Sequence, residues 1–146
     1  MIPRYNRPKI ESIWSDENKY LIWTEIECLI AEQLANLGEI PKEAAKDIRK
    51  KAKFNVEEIN EIEKETKHDV IAYINNISSY IGESAKYFHH GVTSSDIIDT
   101  CFSIQLKQSS EIITNQLKKL FSSERFLWTW NWERIPYSSQ YFTLWK

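Results

Sequence analysis

The segment that decides the fold class is TSSDIIDTCFSIQLKQSSEIITNQLKKL, residues 93–120. Its apolar residues recur three or four positions apart and fall on one side of a helix: Ile98, Phe102, Leu106, Ile113, Leu117 and Leu120. A second apolar edge consists of Ile97, Cys101 and Ile104, which predicts packing against more than one partner. Thr93 or Ser94 stands where an N-cap belongs, and Asp96 lies in the first turn. The segment therefore predicts a long helix that begins at Ser94.

The residues before this segment also read as helices. One helix is predicted after a Ser15/Asp16 cap, with the apolar stripe Trp23, Ile26, Ile30, Leu34 and Leu37 and a stop at Gly38. Pro41 suits the first turn of a second helix, and Asn55 with Glu58 resembles a capping box before the stripe Val56, Ile59 and Ile62. A further stripe, which ends at Gly82, consists of Val70, Tyr73, Ile74, Ile77 and Ile81. No alternating apolar pattern supports strands before residue 121, so the predicted fold class is all-α.

Composition and charge narrow the class of protein. The chain has 146 residues, enough for one domain with a core, and 27% of them are charged and 42% apolar. A formal net charge of −2 supplies no field to attract nucleic acid or an anionic membrane surface. No apolar run approaches the roughly 18–20 residues that cross a bilayer, and the N-terminus has no apolar core of a secretory signal. We expect a soluble cytoplasmic protein that binds neither nucleic acid nor membrane.

Cysteine and histidine spacing gives no sign of a metal site. Cys28 and Cys101 lie far apart among apolar helical neighbours, without CxxC spacing. His89 and His90 lack acidic or thiol partners nearby. We therefore expect no metal and no disulfide.

The composition changes abruptly at Phe121. Residues 121–146 contain four tryptophans, three phenylalanines and two tyrosines. Trp128, Trp130 and Trp132 alternate with polar residues as in a strand, although tryptophan also suits a surface that binds a partner. The segment neither continues the apolar stripe nor supplies a helix to cover it. We expect that it does not belong to the preceding helical design and comes from a shifted reading frame or a disrupted gene.

Three stretches contain residues that could carry chemistry. TKHDV, residues 66–70, places His68 at a helix junction where Asp69 could simply be a cap, and histidine is the side chain most often used for proton transfer. HHGVTSSD, residues 89–96, is either an ordinary helix N-terminus or a site whose free N–H groups hold an anion. PRYNR, residues 3–7, offers Arg4 for a phosphate and Tyr5 for stacking, or is only a solvated arm.

Together and in this order, three segments closely resemble the N-terminal part of bacterial adenylosuccinate lyases, a family of the fumarase/aspartase superfamily. They are MIPRYNRPKIESIW (1–14), ETKHDVIAYI (65–74) and FHHGVTSSDIIDTCFS (88–103). The resemblance runs from Met1 to about Leu120. It implies an N-terminal helical domain over residues 1–93, the start of a central helical bundle over 94–120, and an unmatched tail over 121–146.

The resemblance implies a β-elimination that releases fumarate from adenylosuccinate and from the succinyl-carboxamide ribotide of purine synthesis, without a cofactor. By position, Arg4 and Tyr5 match residues that contact the nucleotide. Lys67, His68 and Asp69 match a tripeptide that contacts substrate, with His68 on the acid side of the reaction; Lys67 stands where arginine is usual. Thr93 and Ser94 match the pair that holds a substrate carboxylate, and His89 matches a histidine of the pocket.

Other parts of the family pattern are absent from this chain. A second histidine in a GR(S/T)HG-like segment and a loop with the serine base are both missing. The family forms homotetramers in which each active site draws on three subunits, so we expect the chain alone to be inactive and to assemble poorly. Two alternatives remain: another fumarate-releasing lyase, such as one acting on argininosuccinate, and a non-catalytic helical interaction protein that docks through the aromatic tail.

Overall fold

The computed structural model describes residues 5–132, and the side chains of residues 5–123. Its helices are α1 (Pro8–Ile13), α2 (Asp16–Leu37), α3 (Lys42–Lys51), α4 (Val56–Thr66), α5 (Asp69–Ile81) and α6 (Ser94–Trp132), with a 3-10 helix at Gly82–Tyr87. No strand occurs in the part of the chain that the structure describes. The prediction of an all-α fold is confirmed.

Most predicted helix ends are confirmed by their caps. The Ser15 side chain accepts the Asn18 N–H at 3.2 Å, and Gly38 ends α2 with a left-handed φ of 82°, which glycine adopts without the steric cost of a Cβ. Asn55 accepts the N–H groups of the second and third residues of α4. Pro41 is the N-cap of α3 rather than a residue of its first turn, because its ψ of 137° is extended.

The core lies between α2, α5 and the segment that follows α5. Five aromatic rings meet there in edge, stacked and tilted contacts with centroids 5.2 to 6.2 Å apart: Tyr20, Trp23, Phe54, Tyr73 and Phe88. Such aromatic pairs contribute beyond the apolar area that they bury. The cluster therefore attaches α5 and Phe88 to one face of α2.

The stripe predicted for α2 is displaced from the face that is buried. The buried residues of this helix are Tyr20, Ile22, Trp23, Glu27, Cys28, Ala31 and Ala35. Leu37 is 76% exposed, and Ile26, Ile30 and Leu34 are only partly buried. The buried face of α2 therefore includes the small residues Cys28, Ala31 and Ala35, while Ile26, Ile30 and Leu34 lie at the margin of the core. The stripe predicted for α5 agrees more closely with the buried face of that helix, because Ile74 is its only member that is not fully buried.

The chain divides into two compact units between Ser109 and Ser110. In the first unit, Ile97 and Cys101 are buried as predicted, and the buried edge continues through Gln105 and Ser109. The Gln105 amide donates to the Ile13 carbonyl at 2.8 Å, and the Trp14 indole N–H donates to the Ser109 hydroxyl at 3.1 Å. These bonds attach the first part of α6 to the junction of α1 and α2.

The second unit is described through residue 132, and all of its described residues belong to α6. The strand-like reading of Trp128, Trp130 and Trp132 is wrong, because the backbone is helical there. Extending an existing helix adds a hydrogen bond for each residue that becomes ordered, whereas a lone strand has no partner. Residues 133–146 of the predicted tail lie outside the described residues. None of the described helices is long and apolar enough to cross a membrane.

Candidate active site

Lys67 and His68 form the junction between α4 and α5. Lys67 is the C-cap of α4 and has a left-handed φ of 54°. His68 is the N-cap of α5, where its Nδ1 accepts the Ile71 N–H at 3.4 Å. The expectation that Asp69 caps this helix is wrong: Asp69 is the first helical residue, and its carboxylate accepts the adjacent Val70 N–H at 2.7 Å.

The Asp69 carboxylate also lies beside the imidazole of His68. Its Oδ1 is 3.5 Å from the histidine Nδ1, and both side chains are partly exposed. In the neutral ring, Nδ1 accepts from the backbone, so the ring hydrogen is on Nε2. In the protonated ring, Nδ1–H would face the carboxylate instead. Either way, Nε2–H is the group that His68 can present to a ligand.

His89 lies in the turn between the 3-10 helix and α6, and it is fixed by a residue that sequence reasoning missed. Its Nδ1 lies 2.5 Å from Oε1 of Glu27, which is on α2 and only 1% exposed. Burial raises the pKa of Glu27, and the hydrogen bond and charge of His89 oppose this rise. The other carboxylate oxygen, Oε2, is buried without a hydrogen-bond partner among the described atoms.

The start of α6 is a reciprocal capping box. The Thr93 hydroxyl accepts the Ser95 N–H at 3.2 Å, while the Thr93 N–H donates to the Asp96 carboxylate at 2.8 Å. Neither the hydroxyl nor the N–H of Ser94 takes part in a hydrogen bond within the described residues. An anion at this helix end would therefore be bound by Ser94, because Thr93 and Ser95 are already engaged.

The His68 stretch and the His89 stretch both contact α5. Tyr73 of α5, five residues after His68, packs at 6.2 Å between ring centroids against Phe88, the neighbour of His89. The Tyr73 hydroxyl donates to Thr24 of α2 at 3.1 Å. No described hydrogen bond joins the His68 stretch to the His89–Ser94 stretch.

Two grooves lie on the surface of the described residues, with volumes of about 470 and 730 Å³. Neither groove is lined by a predicted site residue.

The N-terminal arm contributes little described structure. Arg4 lies outside the described residues, so its predicted role stays a prediction. Tyr5 is described and largely exposed.

Backbone conformation singles out two predicted site residues. Among the described residues, Lys67 with φ 54° and His89 with φ 58° are the non-glycine positions with positive φ. Such conformations are uncommon and are often found where function requires them. Both positions are among the site residues that the resemblance to the lyase family implies.

Comparison with known proteins places the chain in a family. The model of a family described as lyase matches residues 4–124. The chain belongs to this lyase family. It is 45% identical over 119 residues to the adenylosuccinate lyase of Bacillus subtilis (strain 168), and 47% identical over 122 residues to that of Streptococcus mutans serotype c. These matches cover 82% and 84% of the chain but 28% of each relative.

A solved lyase has a similar structure. The fumarate lyase from Mesorhizobium sp. BNC1 matches with a TM-score of 0.68 and 25% identity, over 78% of this chain and 29% of that one. The resemblance predicted from the three segments is therefore confirmed at the level of family and fold. The lyase family match ends at residue 124, three positions beyond the composition change at Phe121.

Glu27 was missed because its signal in the sequence is weak. It lies in WTEIECLIAEQ, residues 23–33, where three glutamates occur and only one is buried. A helical wheel could have found it, since Glu27 falls four residues after Trp23 and four before Ala31 on the apolar face. A carboxylate at the centre of an apolar face indicates a paired or functional group.

Proposed function

We propose that this chain is the N-terminal part of an adenylosuccinate lyase and supplies one wall of its active site. The reaction is the elimination of fumarate from adenylosuccinate and from the succinyl-carboxamide ribotide in purine nucleotide synthesis. The observation that carries the proposal is the identity of 45% and 47% to two adenylosuccinate lyases across the whole matched region.

The start of α6 suits the carboxylate of the succinyl group. The unengaged N–H and hydroxyl of Ser94 and the positive end of the helix dipole favour a negative charge at this point. The capping box made by Thr93 and Asp96 keeps these donors in place. Donors that are already oriented also stabilise the charge that develops on a carboxylate when its neighbouring carbon loses a proton.

His68 is the proposed acid that protonates the leaving nitrogen. Protonated His68 would donate from Nε2, while its Nδ1–H faces the Asp69 carboxylate at 3.5 Å. Asp69 therefore stabilises the charged ring that acts as the acid. The neighbouring Lys67 adds a positive charge for an anionic group of the substrate, without the two-pronged geometry of arginine.

The remaining contacts are assigned to the nucleotide and the pocket. Arg4 and Tyr5 would contact the nucleotide, and His89 would line the pocket from the turn before α6. The proposal requires no metal and no cofactor, since proton transfer and anion binding account for the chemistry. It also places the protein in the cytoplasm, where purine nucleotides are made.

The proposed catalytic unit is an assembly rather than this chain. The chain spans about 28% of the length of the curated relatives that it matches. The serine base and the second histidine of the family pattern are not in its sequence. We therefore infer that the chain alone does not cleave adenylosuccinate, and that activity belongs to a homotetramer that also contains the rest of such a lyase.

Two measurements on the purified chain test this function. Adenylosuccinate cleavage should be undetectable, and turnover near the ordinary enzyme range of roughly 1–10³ s⁻¹ would refute the inference of inactivity. In NMR titrations, adenylosuccinate should shift the signals of His68, His89 and Ser94, whereas argininosuccinate should not. Shifts caused by argininosuccinate but not by adenylosuccinate would favour a lyase that acts on argininosuccinate.

The alternative of a non-catalytic interaction protein is tested by deleting residues 121–146. Loss of a specific protein partner in the shortened chain would favour that alternative.

A further inference from the structure

Glu27 is the one buried charged residue in the part of the chain whose side chains the structure describes. It projects from the middle of α2 and meets His89, 62 positions later, at 2.5 Å between Oε1 and Nδ1. Trp23 and Ala31, one turn before and one turn after it on α2, belong to the apolar core, and its Oε2 has no hydrogen-bond partner among the described atoms.

A buried carboxylate is a poor choice for stability at this position. Removing a carboxylate from water is unfavourable, and replacing a buried ion pair with apolar side chains is often neutral or stabilising. A leucine on this face of α2 would extend the apolar surface between Trp23 and Ala31. The presence of Glu27 is therefore better explained by what it does to His89.

His89 is built to present one ring nitrogen to a ligand. Its backbone is left-handed, with φ 58°, and its neighbour Phe88 is fixed in the aromatic core. The side chain is 18% exposed, and Nδ1 is occupied by Glu27. Within the described residues, Nε2 makes no hydrogen bond, so it is the ring atom left for a substrate.

We propose that Glu27 is a positioning residue, which accepts the Nδ1–H of His89 and so holds its Nε2 ready for the substrate. An ionised carboxylate only accepts hydrogen bonds, so it requires the hydrogen on Nδ1. The same arrangement, a buried carboxylate that fixes the tautomer and orientation of a histidine, is used in hydrolase triads and behind metal-bound histidines. The role rests on the proposed function for its substrate, but the tautomer is a property of the chain without ligand.

The first experiment reads the tautomer directly in the full chain labelled with ¹⁵N-histidine. In the wild-type chain near neutral pH without ligand, His89 Nδ1 should give the signal of a protonated ring nitrogen coupled to its hydrogen. In Glu27→Gln, the amide can donate to Nδ1, so the ring hydrogen should move to Nε2 in a substantial fraction of molecules. A neutral wild-type ring with an unprotonated Nδ1, or a tautomer unchanged in Glu27→Gln, would overturn the proposal.

Glu25→Gln is the matched control, because it removes the same charge from the same helix. Glu25 is exposed and pairs with Arg49 of α3, and no described hydrogen bond or ion pair joins it to His89. It should leave the His89 signals unchanged. The same His89 change in both variants would show that loss of charge, not loss of the Glu27 contact, moves the hydrogen, and would overturn the proposal.

A second experiment separates the role of Glu27 from the proposed function. Adenylosuccinate, added to the full chain, should shift His89 Nε2 and bind at least about tenfold more weakly to Glu27→Gln than to wild type, a loss of about 1.4 kcal/mol. Equal binding by both proteins would overturn the role of Glu27. Failure of the wild-type chain to respond would count against the proposed function, while the ligand-free tautomer would still decide how Glu27 acts on His89.

Discussion

Lys67 holds a left-handed backbone conformation at the end of α4, a position where glycine is the usual residue. A side chain in this conformation costs roughly 1–2 kcal/mol relative to the right-handed region. The cap of α4 is made by the Lys67 backbone N–H, and within the described residues the lysine side chain makes no hydrogen bond or ion pair that compensates for this cost. The lysine is therefore explained better by its charge at the candidate site than by stability.

Replacing Lys67 by glycine should make the protein more stable. The relief of the left-handed strain exceeds the entropy that glycine adds to the unfolded chain, so we expect a gain of about 0.5–1 kcal/mol in the free energy of unfolding. Urea denaturation measures this change. The control, Glu65→Gly, lies inside α4 and should lose a similar amount. A loss for Lys67→Gly as large as that for Glu65→Gly would contradict the account.

Glu27 gives the stability of the protein a defined pH dependence. Because burial raises its pKa above the ordinary 4.5, the native state binds more protons than the unfolded state while the pH lies between 4.5 and the raised pKa. Stability contributed by this group is therefore lost as the pH rises from 4.5 through the raised pKa. The non-titrating Glu27→Gln variant lacks this dependence.

Denaturation of the two proteins between about pH 4 and pH 8 tests this sign. The free energy of unfolding of wild type, minus that of Glu27→Gln, should decrease as the pH rises. A difference that increases with pH would mean that the native state lowers the pKa of this carboxyl, contrary to its burial.

At the scale of elements, the capping box of α6 should be a measurable source of stability. Asp96→Ala removes the acceptor of the Thr93 N–H and a negative charge from the first turn, which together should cost about 1 kcal/mol. Asp99→Ala, in the next turn of the same exposed surface, removes the same charge without a cap and should cost a few tenths of a kcal/mol. Equal losses in urea denaturation would mean that the box does not hold the helix end.

Helix positions could be predicted from the sequence because their signals are local. Apolar spacing and the caps Ser15, Gly38 and Asn55 depend on neighbours within a few residues, and these predictions were confirmed. The buried face of α2 was less predictable. Ala31 is buried and Ile30 only partly buried. Which of the two is buried depends on where α3 and α5 pack against α2, and the sequence of α2 alone does not determine that packing.

Site residues could be predicted from the sequence only where they lie in segments that resemble the lyase family. Nothing in the spacing of Glu27 and His89 indicates a contact across 62 positions, and the folded core creates it. The cap of α5 shows the same limit at short range. Asp69 is the more frequent type of capping residue, but the extended backbone of His68 and its Nδ1 take the position instead.

At the scale of the whole molecule, α6 carries exposed apolar side chains in each unit. In the first unit these are Ile98, Phe102 and Leu106; in the second they are Ile113, Leu117, Leu120 and Phe121. Exposed apolar surface of this kind favours association. It is consistent with the proposed assembly, in which other long helices would cover it.

Leu117→Glu should therefore reduce self-association of the chain. The new charge would have to be buried in any interface formed by this stripe, so the oligomeric fraction in sedimentation velocity should fall. Asn115→Glu adds the same charge at an exposed position on the opposite side of the helix and should leave association unchanged. If both variants associate like wild type, this part of α6 does not form the interface.

The central claim is that this chain supplies the first wall of an adenylosuccinate lyase site. The most direct test is a chimera in which residues 4–124, the range matched by the lyase family, replace the corresponding part of the Bacillus subtilis enzyme. We predict that the chimera releases fumarate from adenylosuccinate, and that His68→Gln in it lowers the rate by about 10²–10⁴-fold. A folded chimera with the parent's assembly state that releases no fumarate, or one whose rate is unaffected by His68→Gln, would contradict the account.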